Sequence, residues 1–300
     1  MLFRLKQLIV SIQYRVDQWL PKWIGVCVRN RCWPWRLTLD AVELHLADRC
    51  NMNCTGCAHF SPFAADWQAD VSRVAHDLAT LKSKFRGGVR HVNLLGGEPL
   101  LHNDVCGIIR CVRLACPGAC ITLVTNGILL LGEPAEFWET CRRERVRILV
   151  TLYEPMDGKR QEIADRCAIE KVPLRIQEAE AFFAKMVPDG SSDPRSAFRK
   201  CRKTTYCPYL REGRLYICAQ SYHVRDFVRE VRRAGMSIGD CADEGLDVHD
   251  PKLTDRQILA YLMTPGKVCK YCSDTLRYMK WSRGSADVRQ WFRHCEIGDQ

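Results

Sequence analysis

The chain of 300 residues has no uninterrupted apolar run of about 18 or more residues, the length a helix needs to span a bilayer. No transmembrane helix is therefore expected. Its opening, Met1-Leu2-Phe3-Arg4-Leu5-Lys6, mixes charge with its apolar residues and no small-residue cleavage site follows, so no secretory signal is expected. Acidic residues are scarce at the start, where Asp17 is the only one before Asp40. There is also no internal repeat, low-complexity tract or long linker. A single large domain, or a large one followed by a small one, is expected.

Other features are abundant. The hydrophobic fraction is 47%, enough for a sizeable core, which excludes global disorder. Lys and Arg total 45 against 35 acidic residues, a formal charge of +10. That excess suits an anionic partner, and equally a basic soluble enzyme, so it does not identify a substrate. Cysteine is frequent, at 18 residues. A secreted disulfide scaffold is normally short and loop-rich, whereas this chain is long and patterned as alternating strands and helices. A reducing, cytoplasmic setting is expected, with some thiols as metal ligands and the rest as small core residues.

Residues 1–40 form a preface in which Leu2, Leu5, Ile9, Ile12 and Val16 recur at helical spacing among Arg4, Lys6, Arg15 and Lys22. Trp19, Trp23, Trp33 and Trp35 add aromatics. A basic amphipathic helix of this kind packs on its own domain, or touches a membrane surface or a partner protein. Cys27 and Cys32 have no matching second pair here and read as structural. From residue 41, strands are expected at Val42–Leu46, His91–Leu95, Ile121–Val124, Arg147–Thr151 and Pro173–Ile176. Helices are expected between them at Asp70–Phe85, Val105–Cys116, Pro134–Arg145 and Lys159–Glu170. Such successive βα units build a parallel sheet whose functional loops follow the C-terminal strand ends. Cys106, Cys111, Cys116 and Cys120 lie on or near the third unit at spacings that suit no cluster, and read as core. The loop Asp189-Gly190-Ser191-Ser192-Asp193-Pro194 precedes a cysteine-rich segment of different character.

After the first strand comes Cys50-Asn51-Met52-Asn53-Cys54-Thr55-Gly56-Cys57. Three thiolates hold three irons of a [4Fe–4S] cube and leave the fourth open to a ligand. The competing reading is buried or zinc-bound thiols, although zinc usually takes paired Cys-x2-Cys units or added histidines. The second strand ends in Gly96-Gly97-Glu98-Pro99, where two glycines permit close approach of a ligand to the backbone. The Cys-x3-Cys-x2-Cys loop, followed by Gly-Gly-Glu-Pro at the next strand end, resembles the radical S-adenosylmethionine superfamily. The resemblance spans roughly residues 41–275. It implies an α/β fold, a partial (β/α)6 TIM-like barrel, with Cys50, Cys54 and Cys57 on the iron. It also implies S-adenosylmethionine held by Gly96, Gly97 and Glu98, with Asn126 and Thr151 at the next two strand ends. One departure is Gly56, where members often carry an aromatic, which leaves the adenine contact open. His59 follows as either a group near the open iron or an ordinary loop histidine.

A second group of cysteines begins with Cys207 and Cys218, which flank a hairpin turn at Glu212-Gly213, and continues in Cys269 and Cys272. Spacing alone leaves an iron–sulfur site and a tetrahedral zinc site both open. The pattern resembles the auxiliary-cluster region of radical enzymes with a SPASM or twitch extension. The shorter twitch form, with one auxiliary [4Fe–4S] cluster, fits better, because Tyr278 stands where a further ligand belongs and only Cys295 lies beyond. Cys201 and Cys241 are reserve ligands.

The resemblance divides the chain into a basic N-terminal segment (1–40), a radical core (41–198), the auxiliary region (199–275) and a tail (276–300). It implies an enzyme that cleaves S-adenosylmethionine reductively and uses the 5′-deoxyadenosyl radical to abstract hydrogen. The expected reaction is a net oxidation of a small polar metabolite, carbohydrate-like in character. The alternatives are a maturase acting on a peptide or protein, and a non-catalytic zinc or iron–sulfur protein. Tyr153, Glu154, His223 and Arg202 are the candidate substrate groups. A reducing partner such as flavodoxin or ferredoxin is implied, and no nucleic acid is expected.

Overall fold

The computed structural model describes residues 37–179, 181–201, 207–284 and 286–292. The amphipathic run from Leu2 to Val16, Cys27, Cys32, Arg202 and Cys295 lie outside them. Five strands alternate with four helices: β1 (Leu39–Ala47), α1 (Val71–Lys84), β2 (Val89–Gly96), α2 (Val105–Ala115), β3 (Cys120–Thr125), α3 (Ala135–Arg143), β4 (Arg147–Leu152), α4 (Arg160–Ile169) and β5 (Leu174–Glu178). The strands pair in parallel in the order β5-β4-β3-β2-β1. Helix starts follow local chemistry. Asp70 caps α1 by accepting the Arg73 N–H at 2.8 Å, and Asp104 caps α2 by accepting the Gly107 N–H at 2.7 Å.

Alternation along the strands separates two faces. Val42, Val92, Ile121 and Ile148 point to one side and join a single apolar core with Leu78 of α1, Ile108 of α2, Trp138 of α3 and Ile163 of α4. Each such fully buried side chain stabilises the fold by about 1.5–3 kcal/mol relative to an exposed one. Cys116, Cys141 and Cys167 are buried in this core, and Cys106 and Cys111 pack against it. The other face, turned away from α1 to α4, is mixed, with Ala41, Leu95, Val124 and Leu149 among polar residues. Glu43 lies level with Asn93, Asn93 with Thr122, and Thr122 with Arg147, while Thr151 lies level with Gln177.

The second part of the chain contributes β6 (Ala181–Met186), α5 (Pro194–Lys200), β7 (Tyr209–Arg211), β8 (Arg214–Tyr216), α6 (Ala219–Arg233), β9 (Leu246–Asp247), α7 (Asp255–Leu262) and β10 (Cys272–Lys280). The hairpin of β7 and β8 forms at the expected turn, with Glu212 at φ 47° and Gly213 at φ 77°, the positive values that suit a tight two-residue turn. β7 joins the free edge of β1 in parallel, and β8 and β9 continue antiparallel, giving an α/β fold on a mostly parallel sheet of eight strands. A sixth strand does not extend the sheet beside β5. The candidate for that place, β6, pairs antiparallel with β10 in a separate two-stranded sheet. Its partner comes from far along the chain, so the local βα rhythm carries no sign of it. No helix among the described residues is long and apolar enough to cross a membrane.

Candidate metal centre

The loop that leaves β1 folds back so that Cys50, Cys54 and Cys57 pack in one small cluster with Met52, Tyr153, Phe182 and Trp281. Burial pushes the Cys50 thiol up to about 12, with the charges of Glu98, Cys57 and Cys54 acting in the same direction. Burial likewise pushes Cys54 up to about 11. Thiols raised this far keep their protons unless a metal replaces them, because a coordinating thiol is deprotonated outright. The donor set is soft and suits iron–sulfur chemistry. Beside it, the Asn51 side-chain N–H is buried without an acceptor. A buried amide N–H without a partner costs about 1–3 kcal/mol, and an anionic cluster or ligand at this place would supply the acceptor. Cys50 also borders an open cavity of about 380 Å3 lined by Arg49, Asn53, Ser61 and Asp66.

The end of β2 is built against this loop. The Gly97 N–H donates to Ala47 O and the Glu98 N–H to Arg49 O, both at 2.9 Å. Gly96 has φ +150°, and a Cβ there would sit 2.2 Å from Ala47 O. A Cβ on Gly97 would sit 2.2 Å from Arg49 O and 2.4 Å from Asp48 O. The two glycines are therefore required by the approach of β2 to the root of the cysteine loop. The Glu98 carbonyl in turn accepts from the Leu101 N–H at 3.2 Å.

Glu98 differs from the simplest expectation. Its side chain is wholly buried and accepts three hydrogen bonds, from the Leu100 N–H at 3.1 Å, the Thr125 hydroxyl at 2.7 Å and the Asn126 N–H at 2.9 Å. Burial raises its pKa to about 7 against the lowering effect of these donors. The carboxylate ties the ends of β2 and β3 together, and an ion pair with a ligand ammonium is not its geometry here. Asn126 does reach the cysteine loop. Its side-chain N–H donates to Asn51 Oδ1 at 2.7 Å and lies 3.7 Å from Cys50 Sγ. Thr151 instead accepts from the Gln177 amide at 2.9 Å, across the β4–β5 pair.

Of the substrate candidates, Tyr153 joins the cysteine group, where its ring packs 5.6 Å from that of Trp281. Burial raises its phenol, and the charges of Cys54, Cys57 and Cys50 reinforce that. Glu154 is exposed, because the chain turns outward after Tyr153 into a short 3-10 helix at Glu154–Lys159. His223 is placed in a different cluster, at the junction of β1, β7 and α6. It stacks on His45 with ring centroids 4.4 Å apart, and its Nε2 lies 3.1 Å from the Tyr209 hydroxyl. Burial lowers its pKa well below the usual imidazole value. Asp48 fixes the partner ring: with His45 Nδ1 donating to Asp48 Oδ1 at 3.1 Å, His45 Nε2 accepts from His59 at 2.8 Å. His59 thus has a structural partner. His45, Asp48 and His223 offer ligand atoms within 4.8 Å of one another. Arg211 already supplies the positive charge there, so a cation would have to displace its guanidinium from Asp48.

The second cysteine group gathers Cys218 at the start of α6, Cys269 in the turn Lys267–Tyr271, and Cys272 at the start of β10. Burial pushes Cys218 up to about 12, and the charges of Cys201 and Cys269 add to it. Cys272 is raised by burial and then by Cys218, Cys269 and Cys201. Cys201, which follows α5, therefore lies close enough to these thiols to act on them electrostatically. Cys207 stands just ahead of β7. Cys241 is buried elsewhere, with Asp240, Asp243 and Arg232 as its charged neighbours.

The sequence reading missed Trp281, which donates its indole N–H to Cys54 Sγ at 3.2 Å, and Thr125, Asn51 and Asp48. Thr125 and Asn51 adjoin flagged residues and were open to detection. Trp281 stands 227 residues from its partner and was not.

Comparison with known proteins yields three findings. Residues 44–172 match the Radical SAM superfamily. Curated relatives include a GTP 3′,8-cyclase of Chlorobaculum tepidum, 36% identical over 96 residues, which covers 31% of this chain and 27% of that protein. Another from Nitrobacter hamburgensis is 32% identical over 156 residues, covering 49% and 43%. The chain thus spans less than half the length of these relatives. Among solved structures, BtrN in complex with AdoMet and 2-DOIA has a TM-score of 0.46 at 14% identity, covering 80% of this chain and 98% of that one. The anSMEcpe structure with bound AdoMet gives 0.47 at 10% identity, covering 77% and 83%.

Proposed function

Residues 44–172 match the Radical SAM superfamily, and on that premise we propose that the protein is a radical SAM enzyme that oxidises a small, polar, hydroxyl-bearing metabolite. The family's cofactors are a [4Fe–4S] cluster and S-adenosylmethionine, and Cys50, Cys54 and Cys57 are the residues to hold the cluster. Bound there, the pair supplies an organic radical that abstracts hydrogen from an unactivated carbon. The observation that carries the reading is the convergence of three thiols, Cys54 buried and Cys50 and Cys57 partly buried, with Asn126 and the orphaned Asn51 N–H at the end of the parallel sheet.

The chain's own residues prepare the site. Gly96 and Gly97 let β2 close on the root of the loop. Asn126 holds Asn51 beside Cys50. Tyr153, Phe182 and Trp281 form an aromatic wall that excludes water. Loss of a hydrogen atom, then of a proton and an electron, converts an alcohol carbon to a ketone by two electrons. Cys201, Cys218, Cys269 and Cys272, with Cys207 nearby in sequence, favour an auxiliary iron–sulfur group as the electron acceptor. A protein reductant such as flavodoxin or ferredoxin completes the scheme.

The test is anaerobic reconstitution followed by reduction with S-adenosylmethionine present. Visible iron–sulfur absorbance and 5′-deoxyadenosine are expected. A panel of deuterated aminocyclitols, sugars and nucleotide-linked sugars, with GTP and a precursor peptide included, then identifies the substrate by deuterium in the 5′-deoxyadenosine and a trapped ketone. A loaded cluster that forms no 5′-deoxyadenosine overturns the reading. Deuterium transfer from GTP or the peptide alone overturns the substrate class.

A further inference from the structure

The segment from Trp281 to Trp291 lies outside both cysteine-bearing regions, yet it is laid across the three-cysteine loop. The Thr55 N–H donates to Ser282 O at 3.0 Å, and the Gly284 N–H to Asn53 O at 2.5 Å. The Asn53 side chain donates to Gly284 O at 3.4 Å, the Thr55 hydroxyl lies 3.3 Å from Gln290 Oε1, and the Trp291 indole donates to Cys57 O at 2.8 Å. A Cβ on Gly284 would lie 2.5 Å from Thr55 Oγ1, so the two strands of chain are in close contact. One contact differs in kind. The indole N–H of Trp281, itself 7% exposed, is aimed at Cys54 Sγ rather than at backbone. Arg283, next along, pairs across a bridge with Cys54 and places a positive charge near its sulfur.

We propose that residues 281–291 form a cap that sets the reduction potential of the iron–sulfur group on Cys50, Cys54 and Cys57, with Trp281 as the positioning residue acting through its N–H on the Cys54 sulfur. The inference rests on the function proposed above. Its physical basis is general. A donor pointed at a ligating sulfur stabilises the more negative, reduced state of a cluster, and exclusion of water changes the potential as well. Trp281 combines both, because its ring is packed against Tyr153 while its N–H faces the sulfur. Trp291 supplies the internal comparison, since it is a capping tryptophan whose N–H meets a carbonyl and not a sulfur.

The experiment is an anaerobic redox titration followed by electron paramagnetic resonance on the full chain. The three variants are Trp281→Phe, Trp281→His and Trp291→Phe. Iron and absorbance of the wild type are measured first, and their absence overturns the proposed function, not the cap alone. With wild-type iron present, Trp281→Phe is expected to move the midpoint to lower potential. The reduced fraction at one poised potential falls about threefold relative to oxidised, or about 30 mV at 59 mV per tenfold for one electron. Trp281→His restores a donor and recovers part of the shift, and Trp291→Phe moves it less. An unchanged midpoint in Trp281→Phe, or equal shifts in the two Phe variants, overturns the role of Trp281. Should Trp281→Phe not load iron, the Trp291→Phe protein grown with 15N-indole tryptophan, which keeps Trp281 and removes the other capping indole, gives the decision. Pulsed resonance of its reduced cluster shows coupling to an indole nitrogen if the contact exists, and none if it does not.

Discussion

Arg211 places Nη1 3.0 Å from both carboxylate oxygens of Asp48, with 5% and 6% of the two side chains exposed. The first residue comes from the second part of the chain and the second from the root of the cysteine loop. The pair therefore fastens the two parts together just behind the candidate metal centre. Removing one partner of a buried pair leaves an uncompensated charge. Arg211→Met is expected to cost about 3–5 kcal/mol in urea unfolding, and Asp48→Asn in the same protein to recover part of that loss. A cost near zero for Arg211→Met would sink this account.

Glu98 gives a pH dependence whose sign follows from its raised pKa. Its ordinary carboxyl value is 4.5 and burial raises it to about 7. The native state then binds more protons than the unfolded state between those values. Its contribution to stability is full below the lower value and lost as pH rises through the upper one. Unfolding free energy of the protein should fall from about pH 5 to 7 through this residue. Glu98→Gln should flatten that slope while lowering stability by about 1–3 kcal/mol, because its amide faces the Asn126 N–H. Equal slopes in the two proteins would assign the pH dependence to other groups.

Gly97→Ala tests the contact between β2 and the loop. Its Cβ meets two backbone carbonyls that have no flexible end to move aside. Overpacking of this kind costs about 1–3 kcal/mol. The variant should also load less iron than Gly118→Ala, where nothing lies within 4 Å. Equal iron per chain in the two would show that the loop tolerates the displacement.

Iron counting separates the readings of the second cysteine group. Two clusters give about eight irons per chain and one gives about four. Cys218→Ala and Cys201→Ala are both expected to reduce the count to about four, with 5′-deoxyadenosine still formed. A Cys201→Ala protein that keeps the full count would leave Cys207, Cys218, Cys269 and Cys272 as the ligand set.

The βα rhythm was legible because it is local: apolar alternation and helical spacing place β1 to β5 and the four helices near their observed bounds. The clustering of Cys50, Cys54 and Cys57 and the close backbone approach at Gly96 and Gly97 were legible because short spacings and paired glycines leave marks in neighbouring residues. What the sequence hid was pairing across distance. β6 takes β10 as its partner, Cys201 joins Cys218 and Cys272, and Glu98 turns inward to Thr125 and Asn126. None of these leaves a periodic trace, and a carboxylate beside two glycines reads the same whether it faces a ligand or the core.

One feature of the second sheet works as a ruler. β10 begins at Cys272, in the second thiol group, and the residue after its end is Trp281, which touches the first. Nine steps of extended chain reach about 30 Å at most, so the two groups are held within that span by one strand. The pairing with β6 is regular only from Arg277, opposite Ala184, to Lys280, opposite Ala181, and is irregular between Cys272 and Arg277. Side chains of a regular strand alternate in direction, so a single-residue deletion between Arg277 and Lys280 would turn the indole to the opposite side, whereas the irregular stretch before it has room to absorb a change in length. Insertions are better accommodated in the open turn around Gly235, where nothing lies within 4 Å of the Cβ position.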